Sequence, residues 1–448
     1  MLCLKRSAHV VPLSQLLVLP SVLILIVALT NGVSAQSRSE GTDQASGLSH
    51  GVVPWSITSP AEGSSGRPPS MVVPFLFVTE RYDSNVLLQP TNVIADYVTN
   101  ITAGARVNHS GDMVVTTLSG GFTSEVYALH PGLNYIGTNG TLNLGLDNAV
   151  GKVVRGLRLS ISDTVVYTPR LQGWLTPEAQ PNSFVSGVQT YRTNSLTNIS
   201  NVLSAYALSP VDQIRASYSY QMLKFYNTET LGSGVTGGLF NTNVHIFSTG
   251  LEHNINPTDS IVVSYQYQHM LFELNTGGPV FDVAVNGAMV TLKKSITREW
   301  SAEVSPGAAI VSNVPEGPQW TMQAALRWND ARLSSGVAYN RSIVPGFFVA
   351  GAAMVNNIVS LFLSRNITSQ WNIGAQANYG LSNSLSSANG SIGFESYGGR
   401  GFVNYGFYPG FVASVIGTYD KFTFNTAGSG NQSMDRQTVM LSLTAEWN

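Results

Sequence analysis

Amide, guanidinium and carboxylate side chains recur at alternate positions along several segments of this 448-residue chain. Gln221, Gln266, Gln268, Gln323, Asn372, Gln376 and Asn378 form the neutral part of the set, and Arg158, Arg215, Arg327, Glu303 and Glu446 the charged part. Amides donate to and accept from hydroxyl groups without holding them tightly. Sparse charges of both signs disfavour strong ion selection. The set fits a wetted wall past which hydroxyl-rich solutes move, and fits equally a wall that these groups only hydrate and brace.

Other spacings carry less chemistry. Gly232-Ser-Gly-Val-Thr-Gly237 matches GxGxxG, yet dinucleotide binding needs a strand before it and a helix after it, and this copy lies in a polar stretch with no helical pattern following. His245 and Ser248 are close in sequence but have no clear orienting acid, so they are weak grounds for hydrolysis. None of the seven histidines has metal-ligand spacing. The Asn-x-Ser/Thr triplets at Asn100, Asn108, Asn139, Asn198, Asn340, Asn366, Asn389 and Asn431 follow from an Asn-, Ser- and Thr-rich composition. No catalytic, cofactor-binding or metal-ligating residue is assigned, and the chain is not expected to be an enzyme.

The elements that position the polar set are read from a period of two. In Gln437–Asn448, Val439, Leu441, Leu443, Ala445 and Trp447 share one face, and Thr438, Met440, Ser442, Thr444 and Glu446 share the other. Apolar-out, polar-in alternation is what a strand needs to separate lipid from a wet interior. The pattern recurs around Ile214–Met222, Ile261–Gln268, Trp320–Asn329 and Trp371–Gly380, where Tyr and Trp cap the apolar faces as interfacial girdles do. Tight turns are expected at Ser209-Pro-Val-Asp212, Asn256-Pro-Thr-Asp259, Ile296-Thr-Arg298, Asn329-Asp330, Asn366-Ile-Thr368 and Tyr408-Pro-Gly410. Longer polar loops are expected at Asn227–Gly238, Asn275–Pro279, Leu381–Gly390 and Asn425–Asp435. Short turns on one side and long loops on the other predict an all-β, transmembrane, antiparallel up-and-down β-barrel of 16–18 strands, best read as 18. Gly346–Leu363 is apolar enough to imitate a membrane helix, but Asn356-Asn357 and its glycines predict a long strand. Gly398-Gly399 shifts the alternation and predicts a bulge.

Composition agrees. Charged residues make up 11% of the chain, well below the roughly 25% of soluble domains. Lys5 and Arg6, the apolar run Leu16–Leu29 and Val33-Ser34-Ala35 have the order of a secretory signal over residues 1–35, cleaved after Ala35. The run is shorter than the roughly 20 residues a helical anchor requires. The only cysteine, Cys3, would leave with that signal. Loss of Lys5 and Arg6 lowers the basic count from 23 to 21 against 25 acidic residues, so no nucleic-acid partner is expected. Residues 36–70 read as a flexible periplasmic tail and 71–448 as the barrel. The bacterial outer membrane is the expected location, with its lipid and the barrel-assembly machinery as expected partners.

Tyr82, Asp83, Asn85 and Val86, followed by Asp96-Tyr-Val-Thr99 and Gly104, resemble the opening strands of outer-membrane β-barrels found with bacterial exopolysaccharide biosynthesis and export systems. The texture extends from about Met71 to Asn448. The chain departs from the usual barrel ending, an aromatic residue that resembles an assembly signal: Trp447 is penultimate here. The resemblance implies passive export of polysaccharide with periplasmic export components as partners, and transfers no site residue. The residues themselves leave open a porin for uptake of small solutes such as sugars, and a non-conducting structural or glycan-binding surface barrel.

Overall fold

A computed structural model describes residues 70–168, 194–226, 240–274, 280–312, 317–345, 353–385, 392–426 and 430–447. The expected leader, residues 36–69 of the expected tail, the GxGxxG match and residues 346–352 lie outside the described residues.

The chain forms strands β1 (Ser70–Asp83), β2 (Asp96–Ser110), β3 (Val115–Tyr127), β4 (Tyr135–Gly145), β5 (Leu157–Thr168) and β6 (Asn194–Ala207). It continues through β7 (Asp212–Tyr226), β8 (Phe240–Asn254), β9 (Ser260–Leu274), β10 (Val280–Ser295), β11 (Trp300–Val311) and β12 (Gln319–Asn329). It closes with β13 (Leu333–Pro345), β14 (Ala353–Asn366), β15 (Trp371–Ser384), β16 (Ile392–Tyr408), β17 (Phe411–Thr426) and β18 (Gly430–Glu446). Each strand pairs antiparallel with the next, and β18 returns to β1 from Phe75↔Glu446 to Asp83↔Thr438. The result is a closed 18-stranded antiparallel barrel. Closure removes both sheet edges, the only arrangement in which strands satisfy their backbone groups in hydrocarbon.

All the expected tight turns fall at one end, with the start of β1 and the finish of β18. Their side chains replace missing ladder bonds. Ser209 Oγ accepts from the Val211 and Asp212 amides at 3.2 and 3.0 Å. Asn256 Oδ1 accepts from the Thr258 and Asp259 amides at 2.9 and 2.8 Å. Hydrogen bonds from the Asn256 side chain and the Ser295 amide hold the Asp259 carboxyl below the ordinary carboxylate range. Thr297 and Thr368 accept from the Trp300 and Trp371 amides, both at 3.1 Å. The exception at this end is residues 146–156, which carry the short helix α1 (Asp147–Val153).

One face of the sheet is outward and apolar: Ile136, Val165, Phe247, Val263, Leu292, Leu361, Val415 and Leu441 are all exposed. Aromatic pairs bracket it, Trp300–Trp328 and Trp371–Tyr405 at the short-turn end and Tyr82–Tyr97 at the other. Glycines on the inner wall make room for flat-lying rings. A Cβ on Gly374 would meet the Phe402 ring at 2.2 Å, and one on Gly336 the Phe362 ring at 2.6 Å.

Three expectations need correction. No bulge occurs at Gly398-Gly399: both keep register with β15 and β17, and the one irregularity of β16 lies at Gly406/Tyr408, beside the Pro-Gly turn. The expected loop Asn425–Asp435 is mostly ladder, with Asn425↔Asn431 and Thr426↔Gly430 paired. The inner face is not uniformly polar. Phe225, Val244, Met270, Phe272 and Val283 are buried on it near the loop end. The apolar stretch after Gly346 is strand β14 from Ala353 onward, as its asparagines predicted, and among the described residues no helix is long and apolar enough to cross a membrane.

Gly374→Val is expected to cost about 1–3 kcal/mol by overpacking against Phe402. Gly417→Ala, with nothing within 4 Å of its added Cβ, should be neutral. The temperature at which the folded band shifts in detergent gel electrophoresis measures both.

Candidate functional site: the barrel interior

The inner face is densest in charge where the barrel closes. Asp83 and Asp96 are register partners at the top of β1 and β2, both fully buried. Asp83 accepts two hydrogen bonds from Arg436 of β18, from Nε at 3.1 Å and Nη2 at 2.5 Å. Arg81 lies 3.7 Å from both Asp83 and Glu125 of β3. Glu125 also accepts from Tyr127 Oη at 2.8 Å and Asn100 Nδ2 at 3.2 Å. Two cations face two anions, so burial is offset by pairing. Asp96 gathers the Tyr97, Leu129 and His130 amides at 2.7, 2.9 and 3.0 Å, and His130 Nδ1 at 2.8 Å, fixing the β3–β4 connection.

This cluster anchors residues 84–95, the connection from β1 to β2. The Asn85 amide donates to Asp83 Oδ1 at 3.1 Å, and Asn85 Nδ2 reaches the carbonyls of Gln89 and Asp435, both at 3.0 Å. Gln89 N returns a bond to Asn85 Oδ1 at 3.0 Å. The clasp turns the apolar triplet Val86-Leu87-Leu88 inward. Leu88 is completely buried among Val344, Met354, Phe394, Phe422 and Met434, contributed by β13, β14 and β16–β18. Its φ of 47° lies in the left-handed region, a strain of about 1–3 kcal/mol that the burial must exceed. Val86 and Leu87 pack with Val98 and Tyr127.

The facing wall is an apolar collar from β7 to β11, joined by Ile343, Ala353, Val355 and Leu385 near the loop ends of β13–β15. Next to it lies a cavity of about 80 Å³ whose polar lining is Gln221, Ser264, Gln266, Gln268, Thr321, Gln323 and Ser342, with no charged group. Residues of strands from β7 to β13 can share one cavity only from inside the barrel, which identifies the inner face. Ser305, Gln323 and Asn340 are register partners across three strands. Ser305 Oγ and Asn340 Oδ1 are buried and accept no hydrogen bond.

The register extends this inner face to every polar residue singled out in the sequence. Gln221, Gln266, Gln268 and Gln323 come together at the cavity. Asn372, Gln376 and Asn378 lie apart from it, on β15, where Asn372 donates to Ser364 and Asn366 at 3.0 and 2.8 Å. The charged residues sit towards the short-turn end. Arg215 pairs with Glu252, Glu446 with Arg106 at 3.4 Å, and Glu303 is the register partner of Lys293. Arg158 and Arg327 lie near the short-turn ends of β5 and β12. His245 and Ser248 fall on opposite faces, bonded to Tyr218 and Ser217 respectively. No group of three or more metal-ligating side chains occurs among the described residues. Sequence reasoning missed Arg81, Asp83, Glu125, Arg436 and Leu88 as a unit. The available signal was an apolar triplet two residues after a strand ending in Arg-Tyr-Asp.

No family model and no curated protein matches this chain. Among solved structures it is similar to the siderophore receptor PirA of Pseudomonas aeruginosa, at 7% identity over 85% of this chain and 81% of that one, TM-score 0.45. It is also similar to OccK1 (OpdK) of the same organism, at 9% identity over 84% and 99%, TM-score 0.45. A third is the FrpB iron transporter of Neisseria meningitidis, at 10% identity over 84% and 81%, TM-score 0.44.

Arg436→Gln should destabilise the barrel by about 3–5 kcal/mol, because Asp83 and Glu125 would remain buried without their full charge complement. The double variant Asp83→Leu/Arg436→Leu should lose less than the single one. Chemical denaturation followed by tryptophan fluorescence distinguishes them. Leu88→Ala should cost about 2–5 kcal/mol by leaving a cavity among Val344, Met354, Phe394, Phe422 and Met434, read in the same denaturation experiment.

Proposed function

We propose that this barrel sits in a bacterial outer membrane and is a passive, weakly ion-selective channel for small, uncharged, hydroxyl-rich solutes such as sugars. The membrane reading rests on the continuous apolar outer face, its aromatic brackets and the asymmetry of turns and loops. The solute reading rests on one observation above the others: an interior cavity combines amides and hydroxyls with apolar side chains such as Ile246, Val285, Ala309 and Val344, and has no charged group in its lining. Amides and hydroxyls can exchange hydrogen bonds with a passing hydroxyl. Several charges elsewhere on the wall are matched, Arg81 and Arg436 with Asp83 and Glu125, Arg215 with Glu252 and Arg106 with Glu446, while Arg158 and Arg327 stand apart near the short-turn end; the matched pairs weaken the field available to select ions.

Small solutes fit this interior better than a polymer. Leu88 turns inward at the loop end, and a threading polysaccharide would have to pass it and the apolar collar, which offers sugar hydroxyls no hydrogen bond. Export of an exopolysaccharide remains the reading that the sequence resemblance implies, and a strain lacking the gene but retaining its surface polymer would remove it.

Proteoliposomes holding the full mature chain should swell in isotonic monosaccharide faster than in a charged solute of equal size. Gln268→Glu should favour small cations over anions several-fold, where the unsubstituted chain discriminates little. Liposomes that do not swell with any solute would contradict the channel reading.

A further inference from the structure

Three interior glutamines open on one cavity with their amides unpaired among the described residues. Gln268 of β9 is only 7% exposed, yet its side chain makes no hydrogen bond to a described residue. The register gives the reason. Its partners across the two ladders are Ile246 on β8 and Val285 on β10, aliphatic side chains with nothing to offer an amide. Gln266 is flanked by Ser248, whose hydroxyl is bonded to Ser217 at 2.7 Å, and by Gly287, which has no side chain. Gln323 of β12 reaches the same space and is likewise unbonded among the described residues. A buried amide costs free energy until something hydrogen-bonds it, and here that partner has to come from the cavity.

The rest of the lining narrows what the partner is. Ile246, Val285, Met289, Ala309 and Val344 give the same space an apolar wall, and no charged group joins them. Gly287 keeps the wall open. Its φ is not positive, and a Cβ there would meet Ala309 and the Ala308 carbonyl at an ordinary 3.6 Å, so neither strain nor crowding requires glycine. Water satisfies the amides but leaves the aliphatic side chains wetted. An ion would shed its hydration with no counter-charge in return, and an apolar solute would leave the amides unpaired. A primary amide donates and accepts, as do two hydroxyls on adjacent carbons, so one glutamine can engage such a pair with both its polar atoms. A six-membered sugar ring carries adjacent hydroxyls around its edge and C–H groups on its faces. The cavity is not enclosed, so a ring can seat one edge and one face here while the rest stays in water.

We propose that this cavity is a stationary binding subsite for one neutral pyranose ring. Gln266, Gln268 and Gln323 bond adjacent ring hydroxyls, and Ile246, Val285 and Ala309 meet the C–H face. The inference deepens the channel reading above and rests on it. It adds a distinction that diffusion along a wetted wall does not make. An open-chain polyol has the same hydroxyls but no fixed apolar face, and binding must also order its chain. Passage of ring sugars is therefore saturable, and passage of open-chain polyols is not.

The test follows the potassium chloride current of the full mature chain in a planar bilayer as glucose or sorbitol is added. Sorbitol resembles glucose in size and hydroxyl content, so it reports the effect of viscosity alone. Glucose should lower the current further than sorbitol does, along a saturating curve. Gln268→Met, which keeps the length and removes the amide, should raise the half-saturating glucose concentration about tenfold. Gly287→Val, which puts a branched side chain into the space, should abolish the saturating component while the barrel stays heat-modifiable. Currents that fall equally with glucose and sorbitol overturn the subsite and leave the channel reading standing. A half-saturating concentration that either variant leaves unchanged overturns the subsite as well. Absence of any current through an inserted, heat-modifiable barrel overturns the channel reading and this inference together.

Discussion

Everything in this barrel depends on the pairing of its first strand with its last. An open 18-stranded sheet would leave two rows of backbone donors and acceptors facing hydrocarbon, each several kcal/mol out of place. The β1–β18 ladder removes them, and Arg436–Asp83 crosses that seam from the inner side. A buried ion pair is a poor source of net stability compared with an apolar isostere, but it penalises every mispairing that would leave one charge alone. The pair therefore specifies which strands meet and in which register. The same carboxylate, through the Asn85 amide, also holds the segment that turns Leu88 inward. Closure and the inward turn of residues 84–95 are two consequences of one cluster.

Most of the fold was legible because an up-and-down barrel writes its structure in the simplest period available. Eighteen strands follow from alternation and turns: Ser209, Asn256, Thr297 and Thr368 are the residues that tight turns need, and each makes the expected amide contacts. The failures have physical causes. Gly398-Gly399 looks like a phase shift because neither residue has a side chain to report its face, while the backbone runs through in register. Near the loop end, Met270 and Phe272 face inward while Leu271 faces outward, so both faces are apolar and alternation carries no signal.

The interior was legible as a class and not as an arrangement. Gln221, Gln266, Gln268 and Gln323 could be placed on one face from spacing alone, yet nothing in the sequence says that these four share a cavity while Asn372, Gln376 and Asn378 stand apart. That depends on which strands face each other across a closed sheet. The seam cluster was harder still, since Asp83 and Arg436 are brought together only by closure, from far-apart positions in the sequence. Paired charges and neutral amides then divide the interior by task. The ions brace the wall, and the neutral groups are left to meet a solute.

The central claim is that the interior presents hydrogen-bonding groups without net electrostatic preference. The most direct test is the reversal potential of the full mature chain in a planar bilayer under a potassium chloride gradient. The account predicts open channels with a reversal potential close to zero. A value approaching the Nernst limit for either ion would contradict it, because that would require an uncompensated charge at the narrowest point of the passage.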